Sequence, residues 1–438
     1  MAVPALFIVL FLLLLIGVPV GFAIGGATMM SMALFSDLNM AINAQYSYSG
    51  IFSFTVMAIP FFMLAGLIMS TGGIARKIVN FASTLISFVN GAIASVTLVS
   101  CMFFGALSGS GMATTSAIGG MMIPEMKKRG YDPAYAATVV SFGGIVGPII
   151  PPSLSFVLYG ATTGVSISQL FLAGILPGIL LGLLFVGANI AICTAKGMDL
   201  KPKKTTEPDE VVPIHIAMKY RAIEIWKSFK DGFWALLSPV IILGGIYSGV
   251  FTPTEAACIS VVYSIIISLF VYKDLDWAGL KNVFLETAVL NGITSFLLGY
   301  STVFSTFMTY ERVPQMITEF LTNVSTNPLV VLLFVNLILL VVGLFLDTVP
   351  AIIVMAPMLM PTVKALQINP IHFGVVMAVN LAIGLCTPPY GCNLFVGAAV
   401  AKVKLESMFK HIIPFFLVAV VGLAIITYVP WLSLVFLK

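Results

Sequence analysis

The stretch GGIVGPIIPPS, Gly143–Ser153, lies inside an apolar run, residues 134–195, that contains no Asp, Glu, Lys or Arg. A Pro–Pro pair in a helix removes two amide donors and frees carbonyl groups upstream. Non-helical backbone at membrane depth is tolerated only where it is buried in protein or lines a wet cavity. The stretch therefore predicts a broken membrane helix with free carbonyl oxygens at the break.

The rest of the chain is equally apolar. Of its 438 residues, 60% are hydrophobic and 9% are charged, whereas soluble domains carry about 25% charged residues. Residues 1–36, 38–75 and 78–124 contain no charged side chain either, and about 20 apolar residues suffice to cross the hydrocarbon core. These features predict an all-α polytopic membrane protein. The continuous runs exclude a β-barrel, and a net charge of +4 spread over short loops argues against a nucleic-acid partner.

The sequence does not support an enzyme. The three histidines, His215, His372 and His411, lack HExxH spacing, and the chain has no GxxxxGK[ST] phosphate loop. The five cysteines show neither zinc-type spacing nor the pattern of a disulfide framework. We therefore expect no enzymatic activity and no organic cofactor.

Apolar runs bounded by charged residues, Gly or Pro predict nine membrane spans. The first is predicted as one retained helix over residues 2–35, because no basic residue precedes it as in a cleavable signal peptide. The nine spans lie near residues 4–34, 53–71, 134–163, 168–195, 233–250, 255–272, 284–309, 371–400 and 411–437.

Two further apolar segments, residues 88–125 and 328–366, are too long for one span, and each breaks in its middle. The breaks are GALSGSG, Gly105–Gly111, and GLFLDTVP, Gly343–Pro350. Two half-helices that meet at a tip inside the membrane explain both segments, provided that each tip is buried or lines a cavity. We therefore predict two re-entrant helical hairpins.

Positive charge marks the loops that face the cytoplasm. It is concentrated at Lys127–Arg129, in the stretch 196–232 and at Lys402–Lys410. If these loops are cytoplasmic, every span connects, the N-terminus is cytoplasmic and the C-terminus is periplasmic. Within the stretch 196–232, His215–Phe233 predicts an amphipathic helix that either lies on the inner membrane surface or is a solvated connector.

The chain repeats itself at a shift of 237 residues, and seven prolines and glycines match in this one register. Five crossings separate the copies, so the second copy is inverted relative to the first. Inverted repeats with discontinuous helices are typical of secondary transporters, which bind substrate near the midplane between the copies. The matched pairs are Pro124/Pro361, Pro133/Pro370, Gly147/Gly384, Pro151/Pro388, Pro152/Pro389, Gly160/Gly397 and Pro177/Pro414.

The predicted organisation has five parts. It consists of an N-terminal scaffold helix in 1–52, a first repeat in 53–195, a cytoplasmic linker with the amphipathic helix in 196–232, scaffold helices in 233–283 and a second repeat in 284–438.

Each repeat places a polar hairpin tip ahead of a broken span. Freed carbonyls and nearby hydroxyls suit a small cation, while half-helix N-termini carry partial positive charge that favours an anion. Together, the carbonyls, the hydroxyls and the half-helix N-termini predict a cation-coupled carrier of an organic anion. For a single break, the alternative that Gly and Pro only kink a helix for packing is favoured, whereas two breaks in repeat register favour the carrier. Asp347 either binds a cation or a proton or caps a helix at the tip.

The strings GALSGSGMATTSAIGGMMIPEMKKRGYDPAYAA, from Gly105, GPIIPPS, from Gly147, and GVFTPTEAA, Gly249–Ala257, resemble the large membrane subunit of TRAP transporters, the tripartite ATP-independent periplasmic carriers. The resemblance covers essentially the whole chain. It implies sodium-coupled import of an organic acid, such as sialic acid or a C4-dicarboxylate, by an elevator-type movement in the bacterial inner membrane. The implied partners are membrane lipid, a periplasmic substrate-binding protein and a small four-helix membrane subunit, which we expect to be a separate chain.

The same resemblance implies site residues by motif. One sodium site matches Ser108, Ser110, Gly143, Val146 and Pro148, and a second matches Asp347, Thr348, Gly384 and Thr387. The predicted substrate contacts are Ser108, Ser153, Thr387 and Asn393. Two alternatives stay open, namely a stand-alone sodium- or proton-coupled anion carrier that needs no binding protein, and a non-transporting scaffold or channel.

Overall fold

The structure is a computed structural model that describes residues 2–86, 89–198 and 214–437 and, for residues 214–222, the backbone alone. Every regular element in these ranges is a helix. Seven of the described helices are long and apolar enough to cross a membrane, or eight if a pair bent by 67° forms one span. The predicted all-α polytopic membrane protein is therefore confirmed.

The N-terminal region differs from its prediction. Residues 2–35 form two helices, α1 (Ala2–Leu15) and α2 (Val20–Phe35), and α3 (Ala41–Ile51) follows. The chain turns at Gly17, whose φ of +83° is open to glycine and strained for other residues, and at Pro19, which has no N–H to continue a helix. Since α1 packs back against α2, the prediction of one helix over residues 2–35 is wrong.

Seven helices follow in residues 58–196. They are α4 (Ala58–Thr71), α5 (Ile74–Ile86), α6 (Ala92–Ser108), α7 (Gly111–Lys128), α8 (Pro133–Gly144), α9 (Leu154–Thr163) and α10 (Ile167–Lys196). Helices α6 and α7 form the first predicted hairpin. Helices α8 and α9 are the two halves of the first predicted broken span.

The middle of the chain contains α11 (Ile214–Tyr247) and α12 (Pro253–Ile266), which continues as one π-helical turn, Ile267–Val271. Helix α11 passes through residue 232 without a break, so the predicted amphipathic helix continues directly into a span. Residues 199–213, which form much of the predicted linker, lie outside the described residues.

Eight helices complete the chain. They are α13 (Trp277–Tyr310), α14 (Val313–Val324), α15 (Pro328–Phe345), α16 (Thr348–Ala365), α17 (Pro370–Gly384), α18 (Cys392–Ala401), α19 (Leu405–Tyr428) and α20 (Trp431–Leu434). Helices α15 and α16 are the arms of the second predicted hairpin. Helices α17 and α18 are the halves of the second broken span.

The 237-residue shift relates the elements themselves. Helix α7 shifted by 237 positions coincides with α16 at both ends. The two Pro–Pro bonds that the shift relates, Pro151–Pro152 and Pro388–Pro389, are both cis. Helices α5 and α14, which the sequence analysis did not identify, correspond to each other under the same shift. The internal repeat is therefore a repeat of structure.

The two repeats interlock around their breaks. Helix α9 packs against α16, and α18 packs against α7 and α8. The hydroxyl of Tyr159 donates to the carbonyl oxygen of Pro370 at 2.8 Å, and the hydroxyl of Ser141 donates to the carbonyl oxygen of Asn393 at 3.0 Å. The hairpins and broken helices of both repeats therefore form one packed unit.

Candidate functional site

A cavity of about 1080 Å³ lies between the two hairpin tips and helices outside the hairpins. Ser108 and Ser110 of the first tip line it together with Asp347 of the second. Its other walls come from α4, α9, α13 and the turn between α1 and α2. Further hydroxyl groups in the lining belong to Ser70, Thr71, Ser116 and Thr294. Among the described residues that line the cavity, the charged ones are Asp347 and Glu286.

Local hydrogen bonds fix the conformation of the first tip. Ser110 is the N-cap of α7, and its hydroxyl accepts from the N–H of Ala113 at 3.4 Å. One turn later, Thr114 donates to the carbonyl oxygen of Ser110 at 2.8 Å, and its hydroxyl lies 2.9 Å from that of Ser108. Gly109 makes the turn with φ +60°, and a Cβ there would lie 2.9 Å from the carbonyl oxygen of Pro152. Glycine is therefore required at this position.

Three oxygens converge above Gly147 in the first break. A Cβ built on Gly147 would lie 2.9 Å from the carbonyl oxygen of Ser110, 2.9 Å from Oγ1 of Thr114 and 3.2 Å from the carbonyl oxygen of Gly144. We call this set the oxygen cradle. Unwound backbone carbonyls and hydroxyls of this kind coordinate sodium in transporters built from discontinuous helices. Hard oxygens of this type suit a small cation, and a side chain at Gly147 would fill the space. The carbonyl oxygen of Ser110 accepts from the N–H and the hydroxyl of Thr114, and that of Gly144 accepts from the N–H of Gly147, so an ion there would replace or share these hydrogen bonds.

The other residues predicted for the first sodium site lie in the same break. The carbonyl of Gly143 accepts from the N–H of Val146 at 3.2 Å, and that of Val146 accepts from the N–H of Ile149 at 3.1 Å. The carbonyl of Pro148 accepts from the hydroxyl of Ser153. The carbonyl of Val146 also accepts from the N–H of Ile150 at 3.0 Å, so both of its lone pairs are used within the break itself.

The second tip carries a carboxylate where the first carries a hydroxyl. Asp347 lies 237 positions after Ser110 and is the N-cap of α16. Its Oδ1 accepts from the N–H of Thr348 at 2.7 Å and from the hydroxyl of Thr348 at 3.3 Å. The position equivalent to Thr114 is Ala351. The second tip therefore has a carboxylate in place of the serine hydroxyl and a methyl group in place of the threonine hydroxyl. Both interpretations of Asp347, helix cap and cation ligand, are compatible with its place.

A pair of glycines lets each hairpin contact the break of the broken helix in the same repeat. A Cβ on Gly384 would lie 2.6 Å from Cα of Gly343, and a Cβ on Gly105 would lie 2.7 Å from Cα of Gly147. Because backbone meets backbone at both places, no larger residue fits without a shift. Gly384 therefore positions the second tip against the second break.

Three predicted substrate contacts lie away from the cavity lining. Ser153 caps α9, and the hydroxyl of Thr387 donates to the carbonyl oxygen of Ile383 at 3.0 Å. Asn393 is buried beside the first hairpin, where its Nδ2 lies 3.1 Å from the place of a Cβ on Gly111. Of the predicted substrate contacts, the structure places Ser108 in the cavity wall.

Two polar residues at the site were missed by the sequence analysis. Thr114 follows Ser110 by four positions, the spacing that brings helix residues together, and this signal could have found it. Glu286 lies inside the predicted span 284–309. The rule that an intramembrane carboxylate points to function, which identified Asp347, applies to Glu286 as well.

Comparison with known proteins decides the family. Residues 7–432 match the family described as tripartite ATP-independent periplasmic transporter, DctM component. The chain belongs to the DctM family. It is 38% identical to the C4-dicarboxylate TRAP transporter large permease protein DctM of Vibrio cholerae, over 99% of this chain and 97% of that protein. It is 33% identical to the sialic acid TRAP transporter large permease protein SiaM of the same species, over 96% of this chain and 95% of that one.

Two further relatives describe the extent of the match. The isethionate TRAP transporter permease protein DctMQ of Oleidesulfovibrio alaskensis is 37% identical over 99% of this DctM-family chain, which spans 66% of that longer protein. The fold also resembles the solved structure of the Alcanivorax borkumensis YdaH transporter, with a TM-score of 0.64, 13% identity and coverage of 91% of this chain and 88% of that one. This DctM-family protein is thus a transporter permease, which agrees with the expected absence of an enzyme function.

Proposed function

We propose that this DctM-family protein imports an organic acid across the bacterial inner membrane, driven by an inward sodium gradient. The observation that carries the proposal is the oxygen cradle at Gly147, which adjoins a cavity lined by both hairpin tips. Sialic acid and C4-dicarboxylates are the proposed substrate classes, because relatives that match nearly the whole chain are named for them.

The charges around the cavity support an anionic substrate held with a cation. Helices α7 and α16 each have 18 residues, and they begin at the two tips. The N-terminus of such a helix carries about half a positive charge, so two partial positive charges point at the cavity. A sodium ion in the oxygen cradle would add a full positive charge beside the place of a substrate carboxylate. Hydroxyls such as those of Ser108 and Ser116 can donate to the same carboxylate.

The packed unit of hairpins and broken helices supports an elevator-type movement. Hydrogen bonds between the repeats, such as that from Tyr159 to Pro370, tie this unit together. The remaining cavity walls, from α4, α13 and the α1–α2 turn, belong to the proposed static scaffold. In this proposal the unit slides along the scaffold and carries the oxygen cradle from the periplasmic side to the cytoplasmic side.

The proposed partners are a small four-helix membrane subunit and a periplasmic substrate-binding protein. The names of the relatives support this, since a DctMQ protein and large permease proteins are both among them. The inner membrane location with a periplasmic C-terminus follows the positive-inside rule. We expected a cytoplasmic N-terminus because residues 4–34 were predicted to cross the membrane once. Since α1 folds back on α2, these residues do not form one crossing helix, and the prediction loses its support.

The test is uptake into proteoliposomes that contain this protein and its small subunit. Labelled sialic acid and succinate are supplied with their matching binding proteins, with and without an inward sodium gradient. We expect sodium-dependent uptake of one substrate that stops when the binding protein is omitted. Uptake without the binding protein would favour the stand-alone carrier. Uptake that follows a pH gradient and ignores sodium would overturn the role of the oxygen cradle.

A further inference from the structure

The N-terminal hairpin, α1 with α2, is too short to cross the membrane in either arm. Its arms have 14 and 16 residues, or about 21 and 24 Å at 1.5 Å per residue, against a hydrocarbon core of about 30 Å. The side chain of Leu13 comes within 3.5 Å of the place of a Cβ on Gly26. The first arm therefore runs back alongside the second.

The depth of the hairpin is set by α13. Helix α2 runs parallel to α13, because a Cβ on Gly21 would lie 3.1 Å from the ring of Phe296 and a Cβ on Gly25 would lie 2.7 Å from Cγ of Tyr300. Just after the end of α2, the hydroxyl of Ser36 donates to Glu311 at 3.5 Å. The turn is thus level with the middle of the 34-residue α13, and both termini of the hairpin are level with its C-terminal end.

The side of entry follows from charge. Lys273 and Lys281 lie at the N-terminal end of α13, which the positive-inside rule places in the cytoplasm. The end near Glu311 is then periplasmic. Since α2 ends near Glu311 and α1 runs antiparallel to α2, Ala2 lies on the periplasmic side as well.

The hydrogen bonds and the exposed side chains of the turn suit a position in the hydrocarbon core of the membrane. The N–H groups of Ile16, Gly17 and Val18 donate to carbonyls of α1 at 3.0–3.1 Å, which leaves these three donors paired within the hairpin, as hydrocarbon requires. Leu15 and Ile16 at the turn are 81% and 75% exposed. Such apolar side chains suit lipid and not water.

The turn also reaches the cavity. Pro19 of the turn and Val20, Gly21 and Phe22 at the start of α2 line it. The ring of Phe22 packs at a tilt of 39° against that of Phe296 in α13, with 4.3 Å between the ring centroids, which fixes this wall to α13.

We propose that residues 2–35 form a third re-entrant hairpin, which enters from the periplasm, ends at mid-membrane and supplies a fixed wall of the transport cavity. The N-terminus then lies in the periplasm. The cavity-wall role rests on the proposed transport function, whereas the topology does not.

The topology is tested by thiol labelling in spheroplasts. In a full-length chain with its five native cysteines replaced, the variants are Pro4→Cys, Thr326→Cys as the periplasmic reference and Lys128→Cys as the cytoplasmic reference. A membrane-impermeant maleimide is the probe. We expect Pro4→Cys to react in intact spheroplasts to the same extent as Thr326→Cys. Reaction only after permeabilisation, as for Lys128→Cys, would overturn the proposal.

The cavity wall is tested by uptake in the same background. Val20→Trp places an indole in the cavity, and we expect sodium-dependent uptake to fall at least about tenfold, a difference of about 1.4 kcal/mol. Ile16→Trp is the matched control, since Ile16 is outside the cavity lining and exposed, and it should transport as the parent does. Equal uptake by both variants would overturn the wall role. If the parent itself shows no sodium-dependent uptake, the proposed function fails, while the labelling result stands on its own.

Discussion

The two hairpin tips are built on one plan and differ in charge. At the first tip, neutral oxygens of Ser110, Thr114 and Gly144 converge on Gly147. At the second, Asp347 takes the place of Ser110 and Ala351 takes the place of Thr114. A neutral cradle selects a cation by geometry, whereas a carboxylate attracts one by charge. If both tips bind sodium as proposed, the first tip would set the selectivity for sodium and the second would set the strength of attraction.

The largest expected effect is that of Gly147→Ala. The new Cβ would occupy the oxygen cradle, 2.9 Å from two of its oxygens. We expect sodium-dependent uptake to fall at least about 100-fold, or about 2.8 kcal/mol, with normal membrane insertion. The measurement is initial uptake in proteoliposomes. Gly120→Ala on the same hairpin is the control, since a Cβ there meets nothing within 4 Å. Wild-type uptake by Gly147→Ala would show that the cradle holds no ion.

We expect the equivalent substitution in the second repeat, Gly384→Ala, to impair folding and not only transport. A Cβ on Gly384 would lie 2.5–2.8 Å from backbone atoms of Gly343, so Gly384→Ala separates the hairpin from its break. We expect a loss of folded protein on size-exclusion chromatography in detergent. If Gly384→Ala is well folded and only loses uptake, then Gly384 is needed for transport, as Gly147 is, and not for the packing of the second hairpin.

A smaller effect is expected from Asp347→Asn. Asparagine is also a good N-cap, so the variant keeps the helix start and loses the charge. We expect the sodium concentration for half-maximal uptake to rise about tenfold, or about 1.4 kcal/mol. Glu286→Gln is the comparison, because this carboxylate lines the cavity from α13 and is exposed. Its half-maximal sodium concentration should change less than about twofold, or about 0.4 kcal/mol. Equal shifts in both variants would mean that overall cavity charge, and not the tip, attracts sodium.

Thr114→Val should have a moderate effect. It removes one oxygen of the cradle while nearly keeping the side-chain shape, and a hydrogen-bonding group of this kind contributes about 0.5–1.5 kcal/mol. We expect the sodium concentration for half-maximal uptake to rise about twofold to thirteenfold, which is the same range. Thr138→Val is the matched control, since the hydroxyl of Thr138 donates to the carbonyl of Ala134 at 2.8 Å in buried α8. A shift of similar size in the control would assign the effect to helix packing.

The smallest expected effect lies far from the tips. Tyr135 in the first repeat donates to Asn189 at 2.7 Å, and its equivalent in the second repeat, His372, contacts the carbonyl oxygen of Thr427 at 3.1 Å. Tyr135→Phe should cost about 1 kcal/mol of stability and lower the melting temperature by about 2 °C, with uptake unchanged. Tyr428→Phe, at an exposed hydroxyl, should change neither. Reduced uptake in Tyr135→Phe without loss of stability would give this residue a role in transport.

Much of the fold could be predicted because short interruptions in the apolar runs mark where its helices break. Gly, Pro and polar residues interrupt apolar runs at both tips and both broken spans, and non-helical backbone at membrane depth is tolerated only where it is buried in protein or lines a cavity. The turn at Gly17 and Pro19 carries the same signal, but the apolar run on either side is long enough to pass for one helix. Whether α1 continues or folds back is decided by its packing on α2, which no local pattern contains.

The site was less predictable, since distances across the fold decide it. The breaks in the apolar runs and the motif similarity identified Ser108 and Ser110, and the rule on intramembrane carboxylates identified Asp347; all three line one cavity. Asn393 follows the second break in sequence, yet it packs beside Gly111 and Gly144 of the first repeat. The exchange of helices between repeats causes this, and a sequence pattern read along one repeat gives no sign of it.

The exchange of helices also means that α8 is synthesised long before α18, the helix that it packs against. Residues of α8 such as Ala137 and Ser141 are completely buried and lie against α18, where the hydroxyl of Ser141 donates to the carbonyl oxygen of Asn393 at 3.0 Å. The first residue of α18, Cys392, is roughly 250 positions later. At about 5–20 residues per second, the ribosome needs tens of seconds to reach it. During that interval the first broken helix lacks this partner, so other protein segments or water must satisfy the polar groups that the partner later covers.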